Sequence, residues 1–217
     1  MNLKLLFLPF LVSFLLAVPS LAQKDPKAKE VLDAMRTKFQ SMKGFTASFE
    51  YTFQDEGGTG DRQVGEVAVL GDKYRLKLPD QEIYNDGKTV WTFIQTGGYK
   101  EVTINDAALM EGELTPTTIY TLYQSGFNYQ LLSDRTYQGK SVAVVELTAV
   151  KANAPFQQVR LLIDKSSQQL EGWEMLDGQG GKFTYTFKSL KASPSLPLSH
   201  FTFDLKKYPG IEVIDLR

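Results

Sequence analysis

His200 is the only imidazole in the chain, so any Ser–His–Asp mechanism has a single candidate base. It lies between Ser199 and Phe201 in a stretch that reads as a last strand, His200 to Asp204, and no Gly-x-Ser-x-Gly elbow accompanies it. A structural or surface histidine is expected. Gly139-Lys140-Ser141 ends like a phosphate-binding loop, but Asp134 stands where the first glycine must be. The segment also joins two strands instead of opening a helix, so a hairpin turn is expected. Asp55, Glu56 and Asp61 cluster in a loop as solvated charges and lack the spacing of a calcium-binding loop. Glu111 and Glu113 precede a short helical pattern, where they favour the positive end of its dipole. With no cysteine and one histidine, the usual ligands for zinc, copper or iron are mostly missing. Neither catalysis nor a cofactor is expected.

Apolar surface is what the sequence has in quantity. Lys4, the apolar run Leu5 to Val18 and Ser20-Leu21-Ala22 form a secretory signal peptide pattern, assigned to residues 1–22. The run is shorter than the roughly 20 residues of a spanning helix, and no second run follows. Without an acylatable cysteine, the mature chain from near Gln23 is expected to float free of the membrane. Of 24 basic and 25 acidic residues only Lys4 lies in the leader, so the mature net charge is near −2. That balance argues against nucleic acid, which needs a basic stripe. The remaining residues, 23–217, suffice for one domain with its own core and no disulfide.

The first element of that domain reads as a helix. Asp25 is a candidate N-cap with Pro26 at the first helical position, and Ala28, Leu32, Met35, Phe39 and Met42 form one stripe before Gly44. The period then drops to two. Phe45, Ala47, Phe49, Tyr51 and Phe53 share one face of a strand, and a glycine-rich tip spans Gln54 to Arg62. Val67 and Val69, Tyr74, Leu76 and Leu78, Val90 to Ile94, and Val102 with Ile104 continue the strands, broken by Asn85-Asp86-Gly87-Lys88 and Gly97-Gly98. Thr115 and Pro116 open a helix of about two turns through Ile119, Tyr120, Leu122 and Tyr123, closed by Gly126. Strands resume at Phe127 to Leu131, Val142 to Thr148, Val159 to Ile163, Leu170 to Leu176 and Phe183 to Phe187, with a hairpin at Asp177-Gly178 and Gly180-Gly181. The pattern is one twisted antiparallel sheet with two helices.

In this layout several short stretches resemble the outer-membrane lipoprotein carrier (LolA) family. They are Phe45-x-Ala47-x-Phe49, Gly65-Glu66-Val67-x-Val69, Asp86-Gly87-Lys88-x-x-Trp91, Thr115-Pro116-x-x-Ile119-x-x-Leu122, Phe201-x-Phe203, and Pro209-x-Ile211-x-Val213-x-Asp215. They run in order along nearly the whole mature chain. The resemblance implies a mainly β fold with some helix, a single-domain unclosed antiparallel barrel covered by the N-terminal helix and a short lid helix. It implies a monomeric carrier that takes acylated lipoproteins from an ATP-driven release complex in the inner membrane to an outer-membrane acceptor. The family places Arg-Pro after its Gly-x-Leu-x-Val strand, and that Arg bonds the closed lid. Here Leu70-Gly71-Asp72 stands instead, so the latch is absent or built differently.

Alternation assigns Phe49, Tyr51, Val67, Val69, Tyr74 and Leu76 to the inner face. Trp91, Phe93, the stripe residues Leu32, Met35 and Phe39, and the lid residues Ile119 and Leu122 are expected to meet them around an acyl-chain cavity. Two other readings use the same elements: a lipid- or lipoprotein-sensing module of the periplasm, and an interaction protein whose inner face is filled by its own side chains.

Overall fold

The computed structural model describes residues 24–55, 60–110, 114–177 and 180–217. The signal-peptide segment, Glu56 and the tip of the first hairpin, Glu111, Glu113 and Gly178 lie outside the described residues. Helix α1 (Pro26–Ser41) starts as expected: the Asp25 carboxylate accepts the Lys27 N–H at 2.9 Å, satisfying a donor that every helix start leaves open. Ala28, Leu32 and Met35 are its buried face. Its end does not use glycine as the usual left-handed stop. Lys43, not Gly44, takes the left-handed conformation, at φ 59°. Gly44 is needed for closeness instead, since a Cβ there would stand 2.8 Å from the Val69 carbonyl oxygen and 2.9 Å from that of Ser193.

Strand β1 (Gly44–Gln54) lies at the centre of one sheet. On one side follow β2 (Gly60–Leu70), β3 (Lys73–Lys77), β4 (Gln81–Asn85), β5 (Thr89–Thr96) and β6 (Tyr99–Asp106) as an antiparallel meander. On the other side, the chain order is β7 (Phe127–Leu131), β8 (Arg135–Tyr137), β9 (Lys140–Ala149), β10 (Phe156–Asp164), β11 (Leu170–Asp177) and β12 (Lys182–Ala192). In space β12 pairs with β1, and β11, β10, β9 and β7 follow outward, with β8 beside β9. β13 (Glu212–Asp215) adds to β6 in parallel. The sheet is an unclosed half-barrel whose edges are β7 and β13. Gly139 serves a two-residue hairpin from β8 to β9, with φ 49° at Gln138 and 77° at Gly139, the backbone such a turn demands.

The long-range β1–β12 pairing sets the inner face. The register runs Phe49 to Phe187, Tyr51 to Tyr185 and Phe53 to Phe183, with an irregularity between Ser48 and Phe49. That irregularity re-aims one strand by a residue, so Leu190, Phe187, Tyr185 and Phe183 all pack inward. Helix α1 and residues 114–123 cover this face. The expected lid helix is present as two successive 3-10 turns, Thr118–Tyr120 and Leu122–Gln124. The N-cap position of the first turn falls to Thr117, not to the expected Thr115, although the Thr115 hydroxyl accepts the Thr118 N–H at 3.2 Å.

The C-terminal segment corrects a further expectation. His200 to Asp204 is no strand: Leu198–Phe201 is a 3-10 turn, and a second spans Leu205–Lys207. Phe201 and Phe203 are buried while Thr202 is exposed, so the alternation reflects packing on a sheet face and not a ladder. The last strand instead follows Pro209-Gly210.

Charges on the outer face of the second half form a cross-strand row. Arg160 bonds Glu146 at 2.8 Å, Gln130 bonds the same carboxylate at 2.9 Å, and Arg135 bonds Glu174 at 2.7 Å. Burial alone pushes the Glu174 carboxyl up, but the Arg135 hydrogen bond and the Lys182 and Arg160 charges hold it below its ordinary 4.5. A depressed carboxyl contributes stability that is complete above 4.5 and lost as pH falls through the lower folded value. The melting temperature, followed by calorimetry, is therefore expected to be flat near neutrality and to fall once pH drops below 4.5, with a smaller fall in Glu174→Gln.

Candidate hydrophobic cavity

The inner face is not solid. A cavity of about 100 Å³ lies between the sheet and the segment that starts at Leu114. Its floor is Phe45 and Phe49 of β1, Val67 of β2 and Leu76 of β3. Trp173 of β11 with Tyr185 and Phe187 of β12 form one wall, and Leu114, Thr115 and Pro116 form the roof. No lining residue carries a charge at neutral pH. The Tyr185 hydroxyl is pushed up to about 12 by burial and by the neighbouring Tyr51, so it stays neutral. Trp173 stacks on Tyr185 at 4.7 Å between ring centroids, and the aromatic row continues through Tyr51, Phe183 and Phe53 along β1 and β12.

Local sequence explains the opening. A Cβ on Gly65 would stand 2.5 Å from Phe49 Cζ and 2.7 Å from the Lys77 carbonyl oxygen, so glycine gives the Phe49 ring its place. Gly172 is held by the same logic, with the Tyr185 carbonyl oxygen 2.4 Å from its notional Cβ. The Trp173 indole N–H and the Tyr120 hydroxyl are buried without hydrogen-bond partners among the described residues. A buried polar group left without a partner costs about 1–3 kcal/mol.

Contacts with α1 and with the sheet hold the roof; on the sheet side, Phe45 meets Tyr120 and Tyr129 meets Tyr123 edge-on. Phe39 of α1 and Tyr120 stack at 3.9 Å between centroids, and the Tyr123 hydroxyl donates to Asp33 of α1. Asp33 sits below its ordinary 3.8 because Lys29 and Tyr123 bond it, and Tyr123 is pushed up to about 12 by burial and by Asp33. Both stay in their bonding states across the neutral range. Tyr120 is fully enclosed, and burial raises its hydroxyl well above the ordinary tyrosine range.

Of the residues expected around a cavity, Phe49, Val67 and Leu76 border it. Leu32, Met35, Phe39, Tyr51, Val69, Tyr74, Ile119 and Leu122 belong to the same inner cluster without bordering the space. Trp91 and Phe93 do not join them. They face outward in a separate cluster with Tyr84, Val102 and Phe203, where Phe203 and Tyr208 of the C-terminal segment stack over them. On β5 the position opposite Ile83, an inner-cluster residue, is Thr92, so Trp91 and Phe93 have the other parity. Phe93→Ala is expected to lower the melting temperature while changing acyl-probe affinity by no more than about twofold, as separate clusters behave additively. Phe45, Trp173, Tyr185 and Phe187 were missed as lining, although their alternation is plain; which distant strands face one another was the absent information. His200 lies half-buried on the outer face, beside Arg75, and both burial and that charge lower its basicity.

The profile of the family described as outer membrane lipoprotein carrier protein LolA matches residues 40–204. An uncharacterized protein of Methanocaldococcus jannaschii is 24% identical over 184 residues, covering 81% of this chain and 51% of that protein. The chain thus spans about half the length of the curated relative it matches. An uncharacterized conserved protein of Thermus thermophilus has a similar solved structure, with a TM-score of 0.59 over 87% of this chain and 99% of that one at 14% identity. A LolA superfamily protein of Nitrosomonas europaea reaches a TM-score of 0.46 over 81% of this chain and 97% of that one, also at 14% identity. The Thermus thermophilus likeness speaks to fold only, whereas the profile covers most of the sequence. The chain belongs to the outer membrane lipoprotein carrier protein LolA family.

Proposed function

We propose that this chain is a periplasmic carrier that shelters the acyl chains of lipoproteins on its inner face and takes them from the inner to the outer membrane. The reading rests on one observation: an uncharged, aromatic-lined cavity beneath a short roof of 3-10 turns that packs on α1. Burying a methylene contributes about 0.8 kcal/mol, so a 16-carbon chain represents roughly 12 kcal/mol and does not cross water uncovered. Ligand clefts usually measure roughly 300–1,000 Å³, so a cavity of about 100 Å³ must widen to admit an acyl chain. Loading displaces the roof, and the energy of closing it again opposes binding so that cargo can leave. In this reading the donor is an ATP-driven release complex of the inner membrane and the acceptor lies at the outer membrane. The chain works as a monomer, without catalysis, cofactor or nucleic acid.

The test is recovery of the protein from the periplasm, with mass spectrometry of what it retains. Acylated lipoproteins are expected, and the same lipoproteins with their acylated cysteine replaced are expected to be lost. Equal recovery of the unacylated forms overturns the reading.

A further inference from the structure

Thr115 borders two spaces. Leu114 and Pro116 face only the apolar cavity, while Thr117 and Thr118 face only an open pocket of about 720 Å³ on the other side of the segment. That pocket is mixed but holds far more hydrogen-bonding groups than the cavity: Asn85 and Thr89 flank its turn, Lys88 and Arg217 bring positive charge, Asp106 brings negative charge, and Ala107 and Ala108 add apolar surface. Residues 114–118 are therefore a thin partition between an oily space and a hydrogen-bonding one. The partition is knit to itself, with Thr115 N–H donating to the Thr118 hydroxyl at 2.7 Å and the Thr115 and Thr117 hydroxyls 3.0 Å apart. It can shift as a unit without leaving its own polar groups unbonded.

We propose that this pocket receives the polar head of the amphiphile whose chains enter the cavity, so that cargo is loaded across the 114–118 partition, between it and the Asn85–Thr89 turn. The inference rests on the carrier reading and adds to it an entry route and a head chemistry. Both signs of charge are present, and Arg217 is already bonded by Asp215 at 2.6 Å. The pocket consequently suits a neutral head rich in hydrogen-bond donors and acceptors, such as a glyceryl group joined to peptide. It does not favour a strongly anionic head.

The experiment uses the full processed chain and two photoreactive forms of one dipalmitoyl lipopeptide, with the reactive group at the chain ends or on the first peptide residue. The chain-end probe is expected to mark Phe49, Leu76, Trp173 or Tyr185, and the head probe to mark 85–89, 106–108 or 115–118. Head labelling on α1, or scattered over the surface, overturns the route while leaving the carrier reading intact. Failure of the chain-end probe to mark the inner face defeats the carrier reading itself. Thr117→Trp, which fills the polar pocket, is expected to weaken lipopeptide binding about tenfold, or about 1.4 kcal/mol, and palmitate binding far less. Equal losses for both ligands, or tighter binding of phosphatidylglycerol than of lipopeptide, overturn the head assignment.

Discussion

Acyl-chain uptake is expected to stop when the roof is tied covalently to α1. Asp33→Cys with Tyr123→Cys places two thiols in a chain that has no other cysteine, so a short bis-maleimide has one pair to join. The bridge pins residue 123 to α1, so residues 118–124 cannot lift away and the 114–118 partition, continuous with them, loses its freedom to shift. Uptake of a fluorescent fatty acyl probe is expected to fall more than tenfold, a loss of about 1.4 kcal/mol or more in accessible binding energy. The unbridged double variant is the informative control. It has lost the Tyr123–Asp33 hydrogen bond, worth no more than about 1 kcal/mol because Asp33 is partly exposed and shared with Lys29. It has also lost the buried Tyr123 ring that lies edge-on to Tyr129, so its melting temperature is expected to fall and is measured beside its loading. It should load as fast as the parent or slightly faster. Undiminished uptake by the bridged protein means that the roof is not the gate.

Phe45→Ala carries the largest expected change in stability that also reads on function. Phe45 is 1% exposed and lies edge-on to Phe39, Tyr120 and Phe187, so it joins α1, the roof and the β1–β12 seam. Truncating such a ring costs about 3–5 kcal/mol. For a domain of this size that corresponds to a melting temperature lower by roughly 6–20 °C. The ring also forms part of the cavity floor, so its removal enlarges the space. Saturating acyl ligand is therefore expected to raise the melting temperature of Phe45→Ala more than that of the parent. A variant that loses stability and gains nothing from ligand shows that Phe45 seals a core that lipid never enters.

Much of this architecture can be read from single residues. Asp25-Pro26 marks a helix start because one carboxylate and one ring suit that end of a helix and little else. The Phe45 to Phe53 alternation marks the inner face because no other strand carries so heavy an aromatic load. What stayed hidden has a common cause. Alternation says which residues share a face, but not which side of the sheet that face is on. Trp91 and Phe93 have the composition of inner residues, yet the C-terminal segment gives the outer face of β5 its own apolar cover through Phe203 and Tyr208. Likewise Phe201 and Phe203 alternate without a strand. The two 3-10 turns after Thr115 show the limit for short helical patterns: threonine hydroxyls bonding one another tighten the chain below an α-helical turn. The pairing of β1 with β12, more than a hundred residues apart in sequence, leaves no local trace, and it builds the cavity wall.

Asp25 does more than begin a helix. One carboxylate oxygen takes the Lys27 N–H, the other takes the Leu131 N–H at 3.0 Å, and its own amide donates to the Tyr129 carbonyl at 3.1 Å. It thus occupies hydrogen-bonding positions along the β7 margin that a neighbouring molecule's strand would otherwise fill. The residue that begins the helix also occupies part of an open strand margin. Asp25→Ala, which frees the Leu131 N–H, is expected to increase aggregation measured by light scattering; unchanged scattering means that the margin is protected by other means.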